Sequence, residues 1–497
     1  MMNGKGILMT LLLSVLVCSC GGDLKDDGTS VKPGDNTGQP GGNTDPGNGQ
    51  NTPNGGNGYS AKDGVAYMFD GTTVPKIHVS VSLDEWNKLL QYYDADHNTS
   101  QSVVCSVRYD KAGDVTEISD CAIRLRGNTS RRRPEGSSGQ MHQPDNTDWQ
   151  HCHFQLNFRK YVKDDAHELH GARKVILKWF KEDPMYVREL FCYDLFRRAG
   201  VWTGANAAYC QLYIKVEGDS QETYFGVYEM IEPIDDRFLK VRREQFGNID
   251  GYLWKCSWGA DLTSLDRSFG PDTDSGQSFT YELKTNVAEY EVALAQLQDF
   301  IKKLSGKGDE SFAKWIPQVC DVPFLLKTYA VNVAVGMWDD YWNNTNNFYI
   351  YFDSKDMYEY KFYFIPFDYD NTLGTVSNCG VQGDAASHNP LRWGADAGSK
   401  RLIPRLLNIP EYAALYKQYL RELVADDGIM SRDASMARIR QWQKSIEGMV
   451  RNDTGEDMEI RDEPASWSSN RNYRLLETGS NNYFEVKAAS IKKYCGQ

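Results

Sequence analysis

The chain has 497 residues and a formal net charge of −13, with 40% hydrophobic and 12% aromatic residues. That length holds two or three domains or lobes with a sizeable core. The acidic balance argues against a nucleic-acid partner, which needs a basic face. Arg131-Arg132-Arg133 is the one strong basic cluster.

The N-terminus reads as an address. Lys5 precedes an apolar run, Ile7 to Val17, that is too short for a stop-transfer helix, and the run ends Val17-Cys18-Ser19-Cys20-Gly21. A small residue before Cys20 resembles a lipobox, so residues 1–20 are expected to be a lipoprotein signal peptide with Cys20 as the lipidated residue. Asp23, Asp26 and Asp27 resemble a surface-export signal. The expected location is extracytoplasmic, in the outer membrane or at the cell surface, with membrane contact through the N-terminal lipid only. Residues 21–58 are Gly, Asn, Pro, Asp and Thr, which cannot bury a core and predict a disordered tether. Of 11 cysteines, Cys18 leaves with the signal and Cys20 takes lipid. Nine remain, without CxxC or zinc spacing, so no disulfide framework is expected. Cys105 and Cys121 flank a hairpin and are candidates for a bridge.

From residue 59 to about 232 the pattern is strand-rich. Strands are expected over 76–81, 102–109, 115–126, 153–158, 174–180, 208–216 and 224–230, with helices over 83–93, capped by Ser82, and from Pro184 through Phe196. A further helix is expected over 235–242. Beyond 232 the chain is expected to be mostly helical, with helices over 289–304, 311–319, 322–337, 400–408, 410–425 and 434–450. Strands over 251–256, 279–284, 346–352 and 362–367 interrupt them.

Three stretches carry chemistry. Strand 362–367 ends in Asp368-Tyr369-Asp370; in an extended segment both carboxylates point one way and call for a cation between them. Trp338-Asp339-Asp340 lies one strand upstream. Far earlier, Arg124-Leu125-Arg126-Gly127-Asn128-Thr129-Ser130-Arg131 offers the open backbone and cations of a phosphate-cradling loop.

The ordered blocks RLRGNTSR, DPMYVRELFCYDLFRRAGV, FGVYEMIEPIDDRFLKVR, YELK, WDDYWNNTNNFYIY and IPFDYDNTLG resemble the spore coat protein H (CotH) kinase family. The resemblance implies an α+β, bilobal, atypical protein-kinase-like fold: a strand-rich nucleotide lobe (59–232) and a mostly helical catalytic lobe (233–497). It implies an ATP-dependent phosphotransferase acting on Ser or Thr of a secreted or surface protein, with Mg²⁺ or Mn²⁺. On the matching positions, Asp339 is the catalytic carboxylate and Asp368 the metal aspartate. Asp370 and Asn347 are expected to share the metal, with Asn344 a rival for Asn347. Arg126, Asn128, Ser130 and Arg131 are expected over the phosphates, and Arg188 and Glu232 also match. Relatives carry a lysine in the strand here written His151-Cys152-His153-Phe154; this chain does not, and Lys178 or Lys174 is the candidate replacement. Alternative readings are a catalytically weak pseudokinase, a glycan-binding or adhesion lipoprotein, and a phosphatase of the DxDxT type using Asp368 as nucleophile.

Overall fold

The computed structural model describes residues 60–127, 130–164, 166–273, 277–375, 384–394, 400–464 and 473–496. The expected signal peptide, Cys20, the tether and Asn128 lie outside them.

Seven strands form a closed barrel: β1 (Lys76–Val81), β2 (Val103–Lys111), β3 (Asp114–Arg126), β4 (His153–Asn157), β5 (Lys174–Lys178), β6 (Ala207–Val216) and β7 (Thr223–Ile231). Their order is β1-β2-β3-β4-β5-β7-β6, and a parallel β1–β6 ladder closes the ring. Period-two alternation sends one face inward. Ile77, Val79, Leu125, Phe154, Leu156, Leu177, Leu212 and Met230 form that interior. Cys105 and Cys121 face each other across β2 and β3, yet they are free, buried thiols rather than the candidate bridge. Helix α1 (Ala61–Met68) had no counterpart in the sequence reading, and α2 (Leu83–Ala95) follows the expected Ser82 cap, which accepts from Glu85 N at 3.3 Å.

The helix expected from Pro184 instead begins at Arg188, as α3 (Arg188–Arg198). Asp183 explains the delay. Its carboxylate accepts from the backbone N–H of Met185, Val187 and Arg188 at 3.1, 2.9 and 2.9 Å. These bonds favour turns over 181–187, with Glu182 and Tyr186 left-handed at φ 58° and 60°.

The second half is not helical throughout. After α4 (Asp236–Val241) and α5 (Arg243–Phe246), five strands form a sheet: β8 (Tyr252–Cys256), β9 (Phe269–Pro271), β10 (Tyr281–Leu283), β11 (Phe348–Phe352) and β12 (Phe362–Pro366), ordered β12-β11-β8-β10-β9. Helices α6 (Tyr290–Gly306), α7 (Asp309–Val319), α8 (Val322–Ala334), α9 (Leu402–Leu407), α10 (Pro410–Val424), α11 (Arg432–Ile446) and α12 (Tyr483–Cys495) complete it. The core of this half also takes in Phe191, Cys192, Tyr193, Leu195 and Phe196 of α3. The helix following the fifth barrel strand is therefore embedded in the helical half, so barrel and helices share a packed boundary.

The segment after α11 returns to the barrel. Tyr224 N donates to Asp453 Oδ2 at 2.7 Å and Asp453 N donates to Tyr224 O at 2.8 Å. Arg132 pairs with Glu456 at 3.0 Å. Gly226 lies under this segment with φ +100°, where a Cβ would stand 3.1 Å from the Asn452 Cβ. Gly226→Ala should therefore destabilise the fold by about 1–3 kcal/mol, read by chemical denaturation.

Candidate active site

β5 alternates so that Val175 and Leu177 enter the barrel while Lys178, its last residue, leaves it toward α3. There the Lys178 ammonium meets three carboxylates. It pairs closely with Glu189 in the first turn of α3, with Asp368 Oδ1 at 2.8 Å and with Asp370 Oδ2 at 3.3 Å. Burial by itself would strip the Lys178 proton; Asp368, Asp370 and Glu189 outweigh it and hold the group well above the ordinary lysine range.

The two aspartates converge by a route other than strand alternation. β12 ends at Pro366, and Asp368 is left-handed at φ 62°. Its backbone N–H donates to Tyr193 Oη at 3.1 Å, and Tyr369 N donates to Glu189 Oε1 at 3.2 Å. This held turn aims both carboxylates at Lys178 while the Tyr369 ring points into the core. Non-glycine residues in this conformation store strain that surrounding contacts must hold, as they do at functional turns. Burial pushes the Asp368 carboxyl up, but Lys178 and then Arg126 and Lys255 bring it below the usual range. Asp370, 49% exposed at its side chain, is pushed up to about 7 by the dry floor beneath it and by Asp368 and Glu189, against Lys178. One oxygen each of Glu189, Asp368 and Asp370 lies within 4.8 Å of the others, a spacing that suits a single hard cation.

Asp339 sits in the loop after α8 and is fully buried. Three amides converge on it: Asn347 Nδ2 donates at 2.9 Å, Asn346 Nδ2 at 3.2 Å, and Asn344 Nδ2 more closely. Burial lifts this carboxyl well above the ordinary range against those amides, and the charges of Asp368 and Asp370 lift it further. A raised, oriented carboxylate is suited to accepting a proton. Asn347, left-handed at φ 57°, thus spends its amide N–H on Asp339, as Asn344 does, so both rivals for the metal are brought to Asp339.

A second chain of bonds couples the two acidic loops. Tyr369 Oη donates to Asn332 Oδ1 at 2.7 Å, and Asn332 Nδ2 donates to Asp340 Oδ2 at 2.5 Å. Asp340 in turn accepts from Asn343 N at 2.7 Å.

Arg126 ends β3 beside this centre and is 3% exposed; its Nε and Nη2 have no hydrogen-bond partner among the described residues. A buried guanidinium with unused donors is costly unless an anion fills the space beside it. Its charge acts on Asp368 and on Tyr349, whose buried hydroxyl also has no partner among the described residues. The stretch His151-Cys152-His153-Phe154 brings no lysine to this centre. Burial, with the charges of Lys178 and Arg126, keeps His153 neutral, and its Nδ1 accepts from Trp179 N at 3.1 Å. His151 Nε2 lies 2.7 Å from Phe225 O. Of the two candidate replacements, Lys178 on the neighbouring strand reaches Asp368 and Asp370, while Lys174 stands 3.8 Å from Asp235.

Several expected ligands already have protein partners. Arg131 donates to Gly127 O at 2.8 Å and to Thr99 O. Ser130 folds back over Gly127, whose φ of +106° leaves room for it: a Cβ there would meet Ser130 Oγ at 2.6 Å. Arg188 is consumed by Asp183 and by Glu463 O at 3.1 Å. Glu232 receives Arg242 in a two-pronged pair, each prong 2.7 Å, and Asn206 Nδ2 at 2.8 Å. Glu229 faces Lys178 in register across β5 and β7, and burial pushes its carboxyl far up. Glu189 was missed in the sequence. Its one signal was an acid directly before the apolar run Leu190-Phe191-Cys192.

The family model described as CotH kinase protein matches residues 123–495. Comparison with curated proteins finds no match.

Asp340 supplies a test of the coupled loops. Burial pushes its carboxyl up to about 7, against Asn343 N and Asn332. Its folded value lies above its unfolded one, so the folded state holds the proton more tightly. The stability this gives is full at low pH and is lost as pH rises through about 7. Between about pH 5 and about pH 7, wild type should lose on the order of 2 kcal/mol more stability than Asp340→Asn, measured by denaturant titration at each pH.

Proposed function

Because this chain belongs to the CotH kinase family, we propose that it transfers the γ-phosphoryl group of ATP to a Ser or Thr hydroxyl of a secreted or surface protein. The β-barrel and the helical half serve as the nucleotide and catalytic lobes of a kinase-like enzyme. The observation that carries the reading is the Lys178 centre: one ammonium from the barrel, braced by Glu189 of α3 and touching both aspartates of the other half. That joins the phosphate-binding cation to the metal-binding carboxylates in one place, as phosphoryl transfer requires.

The donor set fits Mg²⁺ or Mn²⁺, since all three candidate ligands are carboxylate oxygens. Asp368 and Asp370 would hold the ion, which when bound neutralises phosphate charge. Lys178 and Arg126 bind the phosphate oxygens, Arg126 through the donors it leaves unused in the protein. Asp339 accepts the proton of the acceptor hydroxyl, held in orientation by Asn344, Asn346 and Asn347. The acceptor oxygen bonds to the γ-phosphorus as the bond from that phosphorus to the ADP oxygen breaks. Lys178 weighs against the pseudokinase alternative, which rested on the absent lysine of the His151–Phe154 stretch. The phosphatase reading shares Asp368, Asp370 and a phosphate-binding Arg126 but gives Asp339, with its three asparagine partners, no task. The lipobox-like Val17-Cys18-Ser19-Cys20 and the polar stretch after it support an activity outside the cytoplasm on a lipid anchor.

Two variants test the roles. Asp339→Asn should lower transfer of labelled phosphate to casein or to the protein itself by about 10²–10⁴-fold, while the melting-temperature rise with Mg-ATP persists. Arg126→Ala should weaken Mg-ATP binding by about tenfold or more in calorimetry, because the buried donors and their charge are lost together. Release of phosphate from p-nitrophenyl phosphate, abolished in Asp368→Asn, would favour the phosphatase instead.

A further inference from the structure

The turn between β11 and β12 lies at the far end of these strands from Asp368, and it presents an aromatic ring to solvent. Tyr358 is 74% exposed, the most exposed of the large hydrophobic side chains described. The turn that carries it is pinned. Gln296 of α6, fully buried, donates through Nε2 to Ser354 O at 2.8 Å and Asp356 O at 2.6 Å. The Asp356 carboxylate accepts from Tyr358 N at 2.7 Å and Glu359 N at 2.8 Å. Lys303 of α6, paired with Asp299 at 2.6 Å, lies 5.1 Å from the ring centroid. An exposed ring on a backbone held this way has lost the freedom that a ligand would otherwise have to remove.

Beside the ring runs a groove of about 620 Å³, within the size range of small-ligand sites, that reaches Trp315 of α7. Its lining joins polar groups to the apolar surface of Trp315, Val319 and Tyr360. Asp353 and Glu359 bring two negative charges, and Lys361 and Lys303 two positive ones, Lys303 already paired with Asp299. Asn248 and Gln318 add amide groups that both donate and accept. A phosphate or carboxylate ligand would meet Asp353 and Glu359, and an amine would meet the two lysines, so no ionic ligand is favoured. A neutral, hydroxyl-dense molecule with an apolar face satisfies all of it: hydroxyls to the mixed donors and acceptors, C–H face to the ring.

We propose that this groove binds a neutral saccharide, with a pyranose ring stacked on Tyr358 and its hydroxyls met by Asp353, Glu359, Gln318 and Asn248. The site is remote from the Lys178 centre and does not depend on the kinase reading. For a protein at a cell surface it would hold the enzyme against glycan.

The test is calorimetry of the full chain with cellohexaose, maltohexaose and mannohexaose, each at millimolar concentration. At least one should bind, and Tyr358→Ala should weaken that binding by about tenfold or more. Asp353→Ala should weaken it as well. The binding of Mg-ATP and the melting temperature should stay unchanged in Tyr358→Ala, since the ring packs on no core residue's account. Binding of none of the three overturns the proposal. So does equal binding by wild type and Tyr358→Ala.

Discussion

One buried ammonium organises this molecule. Lys178 leaves the barrel at the end of β5 and is met by carboxylates from α3 and from the turn after β12. Burying a lysine is expensive unless opposite charge surrounds it, and burying the Glu189 and Asp368 carboxylates beside a half-exposed Asp370 is costly unless a cation stands among them. Each element therefore depends on the others being in place. The constraint ties the barrel, α3 and the end of the five-stranded sheet into one arrangement. The same three carboxylate oxygens, within 4.8 Å of one another, are a donor set that suits a single hard cation.

The rest of the fold keeps that centre in register. α3 is part of the helical core through Phe191 and Phe196, so Glu189 cannot drift from Lys178 without disturbing packing. Tyr369 links through Asn332 to Asp340, which fixes the loop presenting Asp339 relative to the turn presenting Asp368. The segment around Asp453 and Glu456 closes back on the barrel from the far end of the chain. Coupling of this kind suits a site whose parts come from distant stretches and must agree in position to a fraction of an ångström.

Much of this was legible in the sequence, for reasons that differ by residue. Asp368, Asp370 and Asp339 were legible because acidic residues at the ends of apolar segments need a cation or a task. Most barrel strands were legible from period-two alternation. The convergence of Asp368 and Asp370 was anticipated on the wrong ground, since a left-handed turn and not an extended strand brings it about. Glu189 was illegible because its meaning lies in a partner on another element. Arg131, Arg188 and Glu232 were read as ligands because nothing local reveals that Thr99 O, Asp183 and Arg242 already hold them. The sheet strand β9, three residues long, and α12 carry too little periodic signal to stand out beside the polar stretches that precede them.

The most direct measurement is calorimetric titration of ATP into wild type and Asp368→Ala, each with and without Mg²⁺. Binding to wild type that depends on the metal, with the metal dependence lost in Asp368→Ala, is the expected result. Equal binding by both proteins, or no binding by wild type with the metal present, would contradict the account.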